Sequence, residues 1–244
     1  MSPEGDSPRV MFFMDTRTDT EPQVRAATRG DAEFVARILV EAFPALYRMA
    51  FGIEAEEKNV EVLTALFHAS HLALDQTRVC EWDGRRVGVC ILHTGEPIGR
   101  GRAWDYARLL RRHLNPGAAV RAFCGGISAH WTLDRRVPHA RDLLYIEALA
   151  VLSTERGKGI GALLLHDAFA WAIADGRKRV ALHVLHANTP ARRLYAKVGF
   201  VPWQPDVWHR LRNRIAPVTN WSALLLLLEL DDCHSGSGRS VSRR

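Results

Sequence analysis

Tyr145-Ile-Glu-Ala-Leu-Ala-Val151, then Leu-Ser-Thr-Glu155, then Arg156-Gly-Lys-Gly-Ile-Gly161, then Ala162-Leu-Leu-Leu165: these residues decide how the chain is read. An apolar run of strand formers meets a loop with glycine at every second position, and an apolar helical run follows, so strand, turn and helix succeed one another. Glycine removes Cβ atoms from the loop, which lets several backbone N–H groups point into one concavity. The positive end of the following helix favours an anion in the same place, and a pyrophosphate would fit there. Two familiar phosphate loops are excluded. The Gly-Lys-Ser/Thr of a nucleoside triphosphate loop is missing, and the glycine spacing does not give the dinucleotide fingerprint G-x-G-x-x-G.

Further along stands Asn188-Thr-Pro-Ala191-Arg-Arg-Leu-Tyr195-Ala-Lys-Val-Gly199-Phe200, which reads as a helix closed by a glycine cap. Together the two segments resemble the GNAT superfamily of acyl-CoA-dependent N-acyltransferases. Its central motif, Arg/Gln-x-x-Gly-x-Gly/Ala after a strand ending in an apolar-Ala-Val type sequence, is met in full by Arg156, Gly159 and Gly161. The resemblance spans roughly residues 23 to 230 and is sharp from Tyr145 onward. It implies acetyl-CoA as co-substrate, with Arg156 and the loop amides of Gly157, Lys158, Gly159, Ile160, Gly161 and Ala162 around the CoA pyrophosphate. The strand edge at Leu149, Ala150 and Val151 would pair with the pantetheine arm like an added strand, which requires the neighbouring strand to splay away. By the same resemblance Asn188 would contact the pantetheine and Ala191 would leave room beside it. Tyr195 stands where the family's tyrosine protonates the departing CoA thiolate.

The implied reaction is direct transfer of an acetyl (acyl) group to a primary amine in a ternary complex. An ammonium has no lone pair to donate, so a base must first take its proton. Glu147, two residues from Leu149 and so expected on the same face, is the first candidate. Tyr145 shares that expected face, and His130, His183 and His186 are alternatives. The Val151 amide would stabilise the oxyanion, and no metal is required. Cys80, Cys90, Cys124 and Cys233 all lie outside both segments, so a cysteine-bound acyl intermediate is not suggested. The acceptor is left open as a small molecule or a peptide or protein amine, and a homodimer is allowed. A CoA-sensing module without turnover is the alternative, against which Asn188 and Tyr195 argue.

Outward from this centre the pattern fits the same architecture. Val24 to Ala27 reads as a strand, Ala32 to Ala42 and Glu54 to Ala69 as helices, and Arg78 to Trp82 and Arg86 to Leu92 as a hairpin turning at Asp83-Gly84. Cys80 and Cys90 are expected on facing positions of that hairpin. A helix (Ile160 to Ala174), a strand (Arg179 to Leu185), a helix (Thr189 to Val198) and strands near Val201 to Arg210 and Ser222 to Leu230 follow. The expected fold class is α/β: a mixed, mostly antiparallel sheet with a splayed strand pair, helices on both faces, and a helical insertion before the central strand. The expected domain covers residues 23–231, the insertion about 95–142, with flexible segments at 1–22 and 232–244.

The insertion predicts two helices, Trp104 to Leu114 and Ala118 to Trp131, broken at Asn115-Pro-Gly117. From Gly99 to Asp142 nine arginines face three aspartates, an excess equal to the net charge of +6 of the whole chain. Trp104, Tyr106, Phe123 and Trp131 are candidates for lining the acceptor side. No helix-turn-helix or RNA-binding signature accompanies the charge, so a nucleic-acid partner is not expected. His113, His130 and His139 make no metal constellation, and the cysteines make no C-x-x-C pair, which fits a reducing cytoplasm. Val10 to Met14 is too brief for a signal-peptide core, and the aliphatic run Leu224 to Leu228 is far shorter than the roughly 20 residues of a membrane span.

Overall fold

The computed structural model describes residues 21–51, 56–69, 74–94, 103–124, 142–203 and 223–230. Both chain ends, much of the insertion, Trp131 and His130 lie outside them. Seven strands form one sheet in the order β1-β2-β3-β4-β5-β7-β6. They are β1 (Gln23–Ala26), β2 (Thr77–Trp82), β3 (Arg85–His93), β4 (Leu143–Val151), β5 (Arg179–Leu185), β6 (Val201–Pro202) and β7 (Ala223–Glu229). Every neighbouring pair is antiparallel except β4 with β5, which is parallel. The helices are α1 (Ala32–Ala42), α2 (Pro44–Phe51), α3 (Glu56–His68), α4 (Ala103–His113), α5 (116–124), α6 (Ile160–Ala174) and α7 (Thr189–Lys197).

The helices divide between the two faces, and so does the core. Val79, Val89, Ile91 and Ala150 pack with α1, α3, α4 and α5 on one face; Cys80, Cys90, Leu92, Leu144 and Ile146 pack with α6 on the other. Because β3 and β4 are covered on both sides, they read as nearly unbroken apolar runs rather than alternating ones. Helix α6 buries Ile160, Leu164, Leu165, Ala168, Phe169 and Ala172, one stripe at helical spacing. It reaches the sheet at Gly88, where a Cβ would stand 3.0 Å from Leu164 and 3.2 Å from Ile160. Arg78 of β2 grips Asp167 of α6 with two bonds of 2.6 and 2.9 Å, fixing the rotation of the helix.

The structure differs from the sequence reading at two helix starts and in the pairing of the hairpin. Pro44, in a segment to which the sequence reading gave no element, is the first residue of α2, where its missing N–H costs nothing. The second insertion helix starts at Pro116 instead of Ala118 for the same reason, and the Asn115 side chain caps it through the Ala118 amide at 2.8 Å. Cys80 pairs with Gly88, and Cys90 with Arg78, so the thiols are diagonal rather than facing. The hairpin turn itself is as expected: Asp83 and Gly84 both take positive φ, 50° and 70°.

The entry into α1 is held by one buried carboxylate. Asp31, 1% exposed, accepts from Arg25 at 2.8 and 3.0 Å and from the Thr28 amide and hydroxyl at 2.7 and 2.8 Å. The Arg25 hydrogen bonds hold its pKa well below the ordinary carboxylate range. A depressed carboxylate stabilises the fold above its unfolded value, near 3.9, and that contribution is lost as pH falls through the lower folded value. Asp31→Asn is therefore expected to lower stability at neutral pH by about 3 kcal/mol in urea unfolding. The gap between variant and wild type should narrow below about pH 4.

Candidate active site

Strands β4 and β5 pair only from Leu143–Arg179 to Ile146–Leu182, although β4 runs on to Val151 and β5 to Leu185. Past Ile146 the two part. Each keeps its outer partner: β4 stays on β3 to Gly88–Val151, and β5 stays on β7 to Leu185–Ala223. The cause lies in β4, where Ile91 pairs with Ala148 and Leu92 with Ile146, leaving Glu147 as the extra residue of a bulge. A bulge bends its strand and raises its twist, which carries the end of β4 away from β5.

The bulge also shifts the side-chain alternation. Leu144 and Ile146 face α6, and after the bulge Leu149 and Val151 do, while Ala148 and Ala150 face α1 and α3. Glu147 therefore does not share the face of Leu149, contrary to the sequence expectation. Its charge acts on Tyr47 of α2, which packs with the α1–α3 cluster. Water reaches the Glu147 side chain, yet protein crowds it on its other sides, and the lost solvation pushes its pKa up. Tyr47, stacked on Phe51 at 6.1 Å, is the residue the sequence reading missed; Pro44 as a helix start and the i,i+4 aromatic pair were the signals.

Backbone groups line the gap. The Leu152 amide donates to the Val87 carbonyl at 3.0 Å, and since groups alternate along an antiparallel pair, those of Leu149 and Val151 turn toward the opening. Arg156 Nε already donates to the Val151 carbonyl at 3.1 Å. At the mouth lies the glycine loop. Gly157 and Gly159 take φ of 82° and 87°, and nothing stands within 4 Å of where their Cβ atoms would be, so the loop borders open space. Gly159 caps α6, whose first-turn N–H groups have no partner within the helix. Such a cradle suits a pyrophosphate. Lys158 is turned aside, bonded to Glu155 at 2.8 Å with its ammonium 5.2 Å from the Trp82 ring centre. Gly161 has a packing reason as well: a Cβ there would sit 3.0 Å from Leu194 of α7.

Helix α7 supplies the opposite wall. Asn188 is its N-cap, accepting the Ala191 amide at 3.2 Å, which leaves its NH₂ group to donate elsewhere. Ala191 and Leu194 pack against the α6 core. Tyr195 is 7% exposed, edge-on to Phe200 at 5.7 Å, and its pKa is raised by burial with the neighbouring Cys90 adding to the effect. Tyr145 Oη and His183 Nδ1 lie 2.8 Å apart on the other face, while His186 is exposed beyond β5. Burial pushes the Cys80 thiol up to about 11 and Cys90 further up, so neither is a thiolate at neutral pH. Of the insertion aromatics, Tyr106 and Phe123 pack together at 6.0 Å and Trp104 is 83% exposed. Among the described residues no group of three or more His, Cys, Asp or Glu could hold a metal, and no helix is long and apolar enough to cross a membrane.

The acetyltransferase (GNAT) family model matches residues 43–200. The chain belongs to the GNAT acetyltransferase family. A mycothiol acetyltransferase of Thermobispora bispora is 34% identical over 86 residues, which is 34% of this chain and 29% of that protein. A streptothricin acetyltransferase of Escherichia coli is 41% identical over 59 residues, 24% of this chain and 34% of that protein. The aligned parts thus span about a third or less of these curated relatives. Among solved structures, one described as an acetyltransferase aligns with a TM-score of 0.55 at 19% identity, covering 85% of this chain and 99% of that one. An N-acetyltransferase from Staphylococcus aureus Mu50 aligns at 0.54 and 18%, covering 84% and 100%. At such identities these two structures establish the GNAT fold alone.

The loop geometry makes a specific demand. Gly159→Ala forces a Cβ onto a positive φ at a cost of about 1–2 kcal/mol while filling little of the concavity. Gly159→Asp adds a negative charge there. Calorimetric titration with CoA is expected to show weakened binding for the alanine variant and none for the aspartate variant.

Proposed function

We propose that this GNAT protein is an N-acetyltransferase that moves the acetyl group of acetyl-CoA directly onto a primary amine in a ternary complex. The observation that carries this is the gap between β4 and β5, opening onto the glycine loop at the start of α6 in a chain with the family's motif. Acetyl-CoA as co-substrate would lay its pyrophosphate on the amides from Gly157 to Ala162 and its pantetheine along Leu149, Ala150 and Val151, with Asn188 and Ala191 opposite. The thioester then stands between Tyr195 on one face and Glu147 on the other.

The roles follow from that placement. Glu147, water-accessible and with a raised pKa, takes the proton of the arriving ammonium. The amine attacks the carbonyl, with the Val151 amide as donor to the oxyanion. Tyr195, kept protonated by burial, gives its proton to the leaving thiolate. The buried, protonated Cys80 and Cys90 favour direct transfer over a cysteine relay. The acceptor is an amine of a small molecule, peptide or protein; the names of the curated relatives place mycothiol and streptothricin within the range worth testing.

Amine-dependent release of CoA thiol across a panel of amino acids, polyamines, aminoglycosides and peptides tests the proposal; acetyl-CoA binding without release from any of them would contradict it. Tyr195→Phe should lower kcat by about 100-fold with CoA affinity nearly unchanged. Wild-type turnover in that variant would remove the general-acid role. A base acts only when ionised, so activity carried by Glu147 falls as pH drops through a value above the ordinary carboxylate range. Glu147→Gln should abolish that limb and lower kcat by about 100-fold.

A further inference from the structure

The last rung between β4 and β5 joins Ile146 to Leu182, and Tyr145 pairs across the ladder with Ala181. His183 is thus the next residue of β5 on the Tyr145 face, one step toward the open end. Tyr145 Oη and His183 Nδ1 are 2.8 Å apart, and the rings meet edge-on at 5.7 Å. Tyr145 is 4% exposed and His183 half-buried, so a buried phenol points along the sheet toward the gap with an imidazole at its tip. On the β7 side their surroundings are apolar, with Leu225 opposite His183, then Ala181, Leu227 and Trp203; on the β3 side the imidazole of His93 stands on the same face, paired directly with Tyr145. The titratable groups further along are Glu147, two residues on in β4, and Tyr47 of α2 beside it. This face is the one opposite α6 and Tyr195.

An ammonium loses two protons on its way to an amide, one before attack and one as the C–N bond forms. In the N-acetyltransferase reading, on which this inference rests, Glu147 takes the first. We infer that Tyr145 and His183 take the second. As the nitrogen bonds to the thioester carbon, the C–S bond breaks and its electron pair leaves with sulfur, which receives the Tyr195 proton. The surplus proton on nitrogen passes to Tyr145 Oη while the phenolic proton moves to His183 Nδ1. Amide, CoA thiol, neutral Tyr145, a His183 imidazolium and a Tyr195 phenolate result; the last two neutralise each other through solvent. Tyr145 is the catalytic residue here, and His183, acting through it, positions the hydroxyl and stores the proton.

The test is the pH profile of kcat, followed by thiol release at saturating acetyl-CoA, for wild type, Tyr145→Phe, His183→Ala and the more conservative His183→Gln. Wild type should carry an acid limb that depends on His183, besides the one carried by Glu147. Both His183 variants should lose that limb and about 100-fold in kcat, with the acceptor KM within about threefold of wild type. Added imidazole should restore activity to His183→Ala and not to Tyr145→Phe, which has lost the link between amine and ring. His183 variants that keep the wild-type kcat and limb, or a loss that imidazole leaves untouched, overturn the inference while leaving the transferase reading intact. Wild-type protein that releases no thiol with any amine overturns both.

Discussion

Four rungs hold the two halves of the sheet together, and the structure depends on there being no more. The bulge at Glu147 turns β4 out of the ladder, and each half is then completed from its own side, β3 closing one and β7 the other. The gap consequently costs the fold few hydrogen bonds, yet it leaves the inward groups of Leu149 and Val151 without a neighbouring strand. Backbone N–H and C=O groups seek partners wherever water is displaced, so an extended ligand with amides of its own is the complement this edge calls for.

The charges around the gap are arranged in the same sense. At its outer end the loop offers backbone donors and a helix start, with Arg156 held close by its bond to Val151. Deeper in, the ionisable groups are few and their protons are controlled by burial: Tyr195 and two thiols stay protonated, and Glu147 has a weakened hold on its charge. The ionisable groups thus sit on opposite faces of the sheet, Tyr195 with α7 on one and Glu147 with Tyr47, Tyr145 and His183 on the other. A thioester lying in the gap would be approached by the amine from one face and relieved of its thiolate on the other.

Much of this was legible in the sequence, and the exceptions have identifiable causes. Helix α6 and strand β5 match their expected bounds because the glycine loop before α6 and the apolar spacing in both elements agree there. The Asp83-Gly84 turn was equally plain. Helix α2 was missed because its eight residues are short for a periodic pattern and its start is marked only by Pro44. The face of Glu147 was misjudged because strict alternation assumes a regular strand, and a bulge depends on the partner strand, which no local pattern records. The Tyr145–His183 contact joins residues far apart in sequence and became visible only once the register of β4 and β5 was known.

Amide hydrogen exchange on the segment from Ala148 to Leu152, with and without saturating CoA, tests the role of the gap most directly. Binding should slow exchange at Leu149 and Val151, whose groups turn to the opening, and change Ala150 little because it is already paired with Val89 of β3. CoA that binds while Leu149 and Val151 exchange as before would mean that the pantetheine lies elsewhere, and that the parting of β4 and β5 has another purpose.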